Sequence, residues 1–281
     1  MIKPNDTALR LFEILSASGI EAYAVGGFVR DSLMGLPVHD IDFAVSASPE
    51  ETKPLLSPFA KMIDTGLKFG TVTAVFEGVP FELTTFRADC GIKDGRHPQS
   101  VSFVRDIVSD LSRRDFTVNA MAWSPEKGLV DPFGGREDIT KRLIRCVGEP
   151  SLRFEEDALR ILRSLRFMSR LGFRLDDETA KALRQNAFRL KTISRERIFS
   201  ELSGIICGKN ACDTVTEYAD VISVALPELF AGGAFMLKRL PDELHLRFAA
   251  LFKNADDAEN GMFSLKSPRK LRERVVALRR L

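Results

Sequence analysis

The sequence lacks several features that would assign it to a class at once. It has no stretch of about 18 apolar residues, so we predict no membrane span, and its polar first residues predict no signal peptide. Four scattered cysteines are too few for a disulfide framework or a zinc site, which fits a reducing cytoplasm. One tryptophan and two tyrosines beside 21 phenylalanines exclude an aromatic platform for single-stranded nucleic acid.

Excess charge of one sign is missing as well. The 41 basic and 39 acidic residues leave a net charge of +2, which neither requires nor excludes a nucleic-acid partner. A chain of 281 residues, 44% of them apolar, is long enough for about two domains with a substantial core. Local clusters must therefore decide the function.

The chain changes character near residue 145. Before that point short β-rich runs alternate with glycine and turn signals, including a strand at 40–45 and a hairpin of strands 70–76 and 79–87 turning at Glu77-Gly78. Residues 88–100 are predicted to form a loop, and 111–121 a helix. After residue 145 helical periodicity dominates, beginning with a helix at about 151–171. The pattern predicts an α+β protein, a mixed sheet with helices followed by an all-α region.

Two motifs in the first part are suited to phosphate. Gly26 and Gly27 stand between a predicted strand and helix, where glycines let backbone N–H groups approach an anion and Arg30 adds charge. Arg113 and Arg114, followed by Asp115, would supply bidentate donors to a triphosphate. The alternatives are a purely structural turn and an ordinary capped helix start.

Acidic residues on two predicted strands suggest a metal site. Asp40 and Asp42 share one face of a strand, and two adjacent carboxylates need a cation between them, for which Mg²⁺ is the natural candidate. Glu82 completes a three-carboxylate cluster if its strand neighbours that of Asp40, and otherwise it is an exposed strand residue. Such a cluster could activate an attacking oxygen and stabilise a leaving pyrophosphate.

A motif in the helical part can read a nucleotide base. Asp157 and Arg160 are three residues apart on one predicted helix, with Arg163 one turn further. Either they form an intrahelical salt bridge, or Asp157 accepts from an exocyclic amine while Arg160 donates to ring acceptors. Cytosine and adenine offer that combination, whereas guanine and uracil do not.

In order and spacing, these motifs resemble the class II tRNA nucleotidyltransferases, the CCA-adding family that also contains bacterial poly(A) polymerases. The matching segments are residues 26–31, 40–42, 113–120, 131–135 and 156–160. The resemblance implies a nucleotidyltransferase head at residues 1–145, a helical neck with the nucleotide-selecting helix at 146–208 and an incomplete helical body at 209–281.

The resemblance also implies site residues and partners. Asp40 and Asp42 would hold Mg²⁺ and, with Glu82, form the catalytic group, while Asp157 and Arg160 would select CTP and ATP without a nucleic-acid template. The other nucleotide-binding residues would be Gly27, Arg30, Arg114, Asp115, Asn119 and Arg163. The RNA partner would be tRNA, held through its backbone by basic patches. The oligomeric state stays open.

The segment after the strand at 79–87 helps to choose within the family. Members that add only CC have a shortened loop there, whereas residues 88–95 look full-length, although His97 stands where members often carry arginine. We therefore expect CCA addition, with A-only addition, poly(A) synthesis and a catalytically inert RNA- or nucleotide-binding module as alternatives. Because family members usually continue through a longer body, we expect a complete nucleotide site and an incomplete RNA-binding part.

Overall fold

A computed structural model describes residues 2–38, 40–92 and 98–281, with the backbone alone at 89–92 and 98–101. The chain separates into two compact units, one ending at Lys141 and the other running from Arg142 to Leu281. The first unit contains the sheet and the second is almost entirely helical, which confirms the predicted α+β class. The further division of the helical part into neck and body stays a prediction.

The first unit is built on a seven-stranded mixed sheet with the order β3-β4-β5-β2-β1-β8-β9. Its strands are β1 (Ala22–Val25), β2 (Asp42–Val45), β3 (Ala60–Gly66), β4 (Thr71–Phe76), β5 (Val79–Thr85), β8 (Ala122–Ser124) and β9 (Gly128–Val130). β2 and β5 are parallel, and the other neighbours are antiparallel. The short β2 therefore lies in the middle of the sheet, between β5 and β1.

The predicted hairpin is confirmed. β4 and β5 pair from Phe76↔Val79 to Thr71↔Thr84, and the two turn residues, Glu77 and Gly78, have φ angles of +50° and +80°. A two-residue turn with two positive φ angles matches the right-handed twist of the strands, and glycine at the second position relieves the strain.

Five α-helices accompany this sheet within the described part of the first unit. They are α1 (Asp6–Ala17), α2 (Gly27–Leu33), α3 (Pro49–Leu56), α4 (Ile107–Ser112) and α5 (Gly135–Lys141). The apolar side of α1 packs on the sheet, where Phe12 lies 4.7 Å from Phe43 between ring centroids, and Phe43 meets Phe81 edge-on at 5.6 Å. This aromatic core holds β2 and β5 together on one face of the sheet.

Two predictions for the first unit are wrong. Residues 111–121 are not one helix, because α4 ends at Ser112 and only a short 3₁₀ turn, Thr117–Asn119, follows. Residues 88–100 are not all loop either: β6 (Arg87–Ile92) and β7 (Pro98–Phe103) form an antiparallel hairpin of their own. The full-length-loop prediction, including His97, falls largely on residues 93–97, outside the described residues.

The second unit contains nine α-helices within the described residues: α6 (Pro150–Glu156), α7 (Leu159–Leu171), α8 (Asp177–Asn186), α9 (Arg195–Ile206), α10 (Ala211–Glu217), α11 (Ala219–Ala225), α12 (Leu244–Ala250), α13 (Ala255–Ser264) and α14 (Arg269–Arg280). The only strands there, β10 (Leu143–Ile144) and β11 (Arg174–Leu175), form a short parallel pair. The predicted helix at 151–171 is wrong as one element, since Asp157 takes an extended conformation between α6 and α7.

Two expected absences can be examined in the described residues. In the described part, no helix has the length and apolar character needed to cross a membrane. Cys146, Cys207 and Cys212 are free thiols. Burial, a hydrogen bond to Asp242 and the negative charge of that carboxylate raise the pKa of Cys207 to about 12.

Candidate active site

Two of the three predicted acidic residues, Asp42 and Glu82, lie on adjacent central strands, whereas Asp40 lies outside the strand predicted at 40–45, because β2 begins only at Asp42. Asp42, the first residue of β2, lies directly opposite Glu82 of β5 in the parallel register. Because Ile41 and Phe43 are buried, the alternation of the strand directs Asp42 away from the core, and Glu82 between Phe81 and Leu83 follows the same pattern. The adjacency on which the carboxylate cluster depended is thus present, whereas the role of Glu82 as a metal ligand stays a prediction.

The electrostatics of this cluster favour a cation. Asp42 is accessible to solvent yet partly surrounded by protein, and burial together with the charges of Glu82 and Asp40 raises the pKa of Asp42, against the opposing effect of Arg114. Asp40 lies exposed just before β2. The negative charges here are therefore only partly compensated by the protein itself.

The donor set is suitable for a hard divalent cation. It consists of carboxylate oxygens, which are the ligands that Mg²⁺ prefers. Nowhere in the described ranges do three Asp, Glu, His or Cys side chains come close enough to form a complete metal site. A cation at Asp42 would therefore depend on few protein ligands and on substrate oxygens, which is how Mg²⁺ is usually bound beside phosphates.

Arg114 lies beside the glycine turn that follows β1. Gly26 has φ +65° and ψ −126°, and a Cβ built on it would lie 3.2 Å from Nη1 of Arg114. Nη2 of Arg114 donates to Asp110 at 3.1 Å, while Nε is buried without a hydrogen-bond partner. Since Arg114 also acts electrostatically on Asp42, this guanidinium can bind an anion close to the carboxylates.

Asp110 holds Arg114 in place, and we did not identify it from the sequence. Its side chain is 1% exposed and accepts from Nε and Nη2 of Arg113 at 3.1 and 2.9 Å as well as from Arg114. Burial works to raise the pKa of Asp110, but the two guanidinium groups outweigh it and keep that pKa below its usual value. The signal in the sequence was the spacing Asp110–Arg113–Arg114 at i, i+3 and i+4.

Three further predicted nucleotide-binding residues form one buried chain of hydrogen bonds. Arg30, 9% exposed, donates from Nη1 to Oδ1 of Asn119 at 2.6 Å and from Nε to Asp31 at 2.8 Å. Nδ2 of Asn119 donates to Oδ1 of Asp115 at 3.2 Å. A Cβ on Gly27 would lie 3.6 Å from Nη2 of Arg30, so this series of hydrogen bonds lies beside the glycine turn that follows β1. Their direct contact with a nucleotide stays a prediction.

A large cavity of the first unit lies elsewhere. It has a volume of about 690 Å³ and lies between α1 and the β8–β9 turn, next to Ile20–Tyr23 at the start of β1, whereas the glycine turn follows the end of β1. Its charged groups are mostly satisfied by one another: Glu21 accepts from Lys127 and from the Tyr23 hydroxyl, both at 2.5 Å. The carboxylates and the unpaired donor of Arg114 identify the candidate site better than cavity size does.

The base-reading pair lies in the second unit in an unexpected arrangement. Asp157 separates α6 from α7, and its Oδ1 accepts from the backbone N–H of Leu159 at 3.0 Å. Its Oδ2 accepts from Nη2 of Arg197 in α9 at 2.7 Å. The predicted placement of Asp157 and Arg160 on one continuous helix is therefore wrong, and the structure shows Asp157 paired with Arg197.

Arg160 has a different carboxylate partner. Its Nη1 donates to Oε2 of Glu156 at 2.5 Å and to the carbonyl of Arg153 at 3.2 Å. Glu156 also pairs with Arg153 at 2.5 Å. One turn further, the guanidinium of Arg163 lies 5.7 Å from the ring centroid of Phe167. Asp157 and Arg160 are thus each held by a separate partner, and no motif in the sequence pointed to Arg197, which lies 40 residues away from Asp157.

Comparison with known proteins identifies relatives of both units. Residues 22–145 match the family model "Poly A polymerase head domain", and residues 172–221 match "Probable RNA and SrmB- binding site of polymerase A". The CCA-adding enzyme of Geobacillus thermodenitrificans is 46% identical over 237 residues, which are 84% of this chain and 58% of that protein. The CCA-adding enzyme of Ligilactobacillus salivarius is 39% identical over 281 residues, covering 96% of this chain and 69% of the relative.

Solved structures give the same result. The crystal structure of the Bacillus stearothermophilus CCA-adding enzyme in complex with CTP superimposes with a TM-score of 0.87 at 38% identity, covering 99% of this chain and 70% of that one. The Thermotoga maritima CCA-adding enzyme complexed with tRNA gives a TM-score of 0.77 at 26% identity, covering 97% and 69%. The present chain thus spans between about three fifths and seven tenths of the length of these proteins.

Proposed function

Because this chain belongs to the family of CCA-adding enzymes, we propose that it adds C, C and A to the 3′ end of tRNA from CTP and ATP, without a nucleic-acid template. The proposal rests above all on the adjacency of Asp42, Glu82 and Arg114 in the first unit. Carboxylates beside an arginine with an unpaired donor suit a nucleoside triphosphate that arrives with a divalent cation.

The chemistry we propose is an in-line displacement. The 3′-hydroxyl of the RNA gives up its proton to solvent and attacks the α-phosphorus to form the new phosphodiester. The bond from the α-phosphorus to the oxygen that bridges it to the β-phosphate breaks, and pyrophosphate leaves with that oxygen. Asp42 and Asp40 would hold Mg²⁺, which when bound neutralises charge on the phosphates, and Glu82 would lie opposite Asp42 in the catalytic group. Arg114 would bind the triphosphate, and the Arg30–Asn119–Asp115 chain would hold the glycine turn and the ribose. Positioning and charge compensation supply most of the rate in such transfers.

The second unit would choose the base. An ionised Asp157 can only accept hydrogen bonds and Arg160 can only donate them, so together they match an exocyclic amine beside a ring acceptor. Cytosine and adenine present that edge. Arg163 would add positive charge for the phosphates. The same two side chains could then serve both nucleotides, which explains how one site can read two bases.

The RNA would be bound mainly through its backbone. The helix α14 carries basic residues along most of its length, and these include Lys270 and Arg274. Contacts of that kind give an affinity that falls with salt concentration. We propose tRNA as the partner and the cytoplasm as the compartment.

A single assay separates this function from its relatives. Transcripts of tRNA ending at the discriminator base, in C or in CC are offered CTP alone, ATP alone, or both. Complete CCA on the first transcript is the expected result. Addition of A only to the CC end would indicate an A-adding enzyme, and long A tails on unrelated RNA a poly(A) polymerase.

The variant Asp42→Ala tests the active site directly. We expect it to abolish nucleotide addition, because the charge that would hold the cation is removed, while binding of CTP measured by calorimetry without the RNA largely survives. Asp64→Asn, which removes an exposed carboxylate paired with Lys53, is the control and retains activity. Undiminished turnover by Asp42→Ala would refute the assignment, and no turnover by the unchanged chain would favour an inert binding module.

A further inference from the structure

Asp110 is a buried carboxylate to which the proposed chemistry assigns no role. It lies in α4 and its side chain is 1% exposed, so an arriving nucleotide cannot touch it. It accepts two hydrogen bonds from Arg113, one from Arg114 and one, at 3.3 Å, from the backbone N–H of Arg87. An effect of Asp110 on a nucleotide must therefore pass through one of these donors.

The two arginines use this carboxylate differently. Arg113 donates from Nε and Nη2 to Oδ1 at 3.1 and 2.9 Å, whereas Arg114 donates only from Nη2, to Oδ2, at 3.1 Å. Among the residues that the structure describes, Asp110 is the only hydrogen-bond acceptor of Arg114, and the buried Nε of Arg114 has no partner. Arg114 therefore keeps most of its N–H groups for another acceptor.

The cluster also keeps a positive charge. One carboxylate faces two guanidinium groups, so Asp110, Arg113 and Arg114 together have a formal charge of +1, from two positive charges and one negative. Burial works to raise the pKa of Asp110, but the two guanidinium groups keep it below its usual value, so the carboxylate is ionised at neutral pH. Arg114 is thus fixed by an anion whose charge it shares with Arg113, and part of its own charge stays available.

The available N–H groups of Arg114 lie at the glycine turn. A Cβ built on Gly26 would be 3.2 Å from Nη1 of Arg114, and the same guanidinium acts electrostatically on Asp42. Glycines between a strand and a helix let backbone N–H groups approach a phosphate, and a guanidinium there adds charge-assisted hydrogen bonds. Asp110 therefore holds Arg114 at the place where the phosphates of a nucleotide would lie beside the carboxylates.

We propose that Asp110 is a positioning residue for the triphosphate, holding the guanidinium of Arg114 at the glycine turn, while Arg113 prevents Asp110 from neutralising Arg114. The inference rests on the proposed function and deepens it. The sequence predicted both adjacent arginines as triphosphate donors, whereas the geometry gives them different tasks. Arg114 binds the phosphates, and Arg113 acts on them only through Asp110.

The test compares variants of the whole chain. Asp110→Asn removes the charge, Arg113→Met removes the counter-charge, and Arg114→Met removes the proposed phosphate ligand. Asp106→Ala is the control, because Asp106 caps the start of the same helix α4 by accepting from the N–H groups of Val108 and Ser109 and bonds to neither arginine. Calorimetry with Mg²⁺ and without RNA measures the Kd for CTP, and kinetics on tRNA ending at the discriminator base measure the KM for the tRNA. Fluorescence of Trp123 shows that each variant is folded.

We expect Asp110→Asn and Arg113→Met each to raise the Kd for CTP roughly tenfold, the size typical of one lost hydrogen bond to a charged group. The KM for the tRNA should stay unchanged, and Asp106→Ala should change neither constant. In the Arg114→Met background, Asp110→Asn and Arg113→Met should have no further effect on the Kd for CTP, because both act through Arg114. A merely structural role would lower the folded fraction and hence kcat, without this coupling.

The outcomes distinguish the two proposals. If the unchanged chain binds CTP and adds nucleotides but Asp110→Asn keeps the same Kd for CTP, the positioning role is refuted and the proposed function stands. If the effects of Arg113→Met and Arg114→Met simply add, Arg113 binds the phosphates itself and the inference is likewise refuted. If Asp110→Asn does not fold, the pair Arg113→Met and Arg114→Met decides alone. If the unchanged chain neither binds CTP nor adds nucleotides, the proposed function fails and the inference with it.

Discussion

The buried cluster around Asp110 allows a quantitative prediction for Asp110→Asn. Asp110 accepts two hydrogen bonds from Arg113, one from Arg114 and a fourth, at 3.3 Å, from the backbone N–H of Arg87. The amide has nearly the same volume but no charge, and its NH₂ group faces donors. The substitution therefore leaves two guanidinium groups without their counter-charge.

The expected loss of unfolding free energy can be worked out from burial. Removing one partner of a fully buried ion pair typically costs about 3–5 kcal/mol. Arg113 and Arg114 are 18% and 20% exposed, so both can recover part of their hydration, and we reduce the expected loss to about 2–3 kcal/mol. Asp64→Asn removes an ion pair of similar length with side chains 35% and 48% exposed, and we expect less than about 0.5 kcal/mol there.

Urea unfolding followed by tryptophan fluorescence measures this difference. The only tryptophan, Trp123, lies in β8 and meets Phe12 edge-on at 6.0 Å, so its emission reports the first unit alone. A loss below about 0.5 kcal/mol for Asp110→Asn, equal to that of the exposed control, would refute the reasoning.

The same pair predicts a pH dependence. The pKa of Asp110 is lowered in the folded state, so the stabilisation is present above the unfolded pKa and is lost as the pH falls. Below about pH 4 the unfolded carboxyl takes up its proton first. The difference between the unchanged chain and Asp110→Asn should therefore shrink as the pH falls below 4, and a difference that grows would contradict the ion-pair explanation.

Two further predictions concern the glycine turn and a thiol. Gly26→Ala should destabilise the first unit and raise the KM for CTP, because φ is +65° and the added Cβ would lie 3.2 Å from Nη1 of Arg114. Gly19→Ala, with φ +73° and no atom within 4 Å of the added Cβ, is the control that measures backbone strain alone. Equal effects of the two variants would show that the contact with Arg114 contributes nothing. Burial and Asp242 raise the pKa of Cys207 to about 12, so at pH 8 its thiol should react with iodoacetamide at least roughly a hundredfold more slowly than in the unfolded chain. Peptide mass spectrometry measures the two rates, and similar rates would contradict the raised pKa.

The sequence predicted those parts of the fold that depend on local patterns. The Glu77-Gly78 turn and the alternation around Asp42 and Glu82 follow from near neighbours, and all were found as expected. The adjacency of β2 and β5 was only a condition in the prediction, because two strands 40 residues apart carry no local signal of pairing. The alternation predicted on which face of each strand the carboxylates lie, whereas only the tertiary structure determined which strands are neighbours.

The errors also have physical reasons. Apolar residues at helical spacing continue on both sides of Asp157, and no glycine or proline marks the break, so periodicity alone predicted one helix. The polar, glycine-containing segment after β5 looked like a loop, yet its backbone forms β6, which pairs with β7 as a hairpin with little apolar content. Arg197 was missed because its partner, 40 residues away, is defined by packing, whereas Asp110 was missed although its spacing from Arg113 and Arg114 is local.

The parallel pairing of β2 with β5 also has a consequence for folding. The β4–β5 hairpin closes through two residues, whereas β5 can pair with β2 only after the whole crossover through α3, β3 and β4 has returned beside it. Contacts between distant segments form slowly, because the entropy of closing the chain must be lost first. The like charges of Asp42 and Glu82 therefore oppose a late docking step, and a cation that screens them should speed refolding of the sheet as well as support its chemistry.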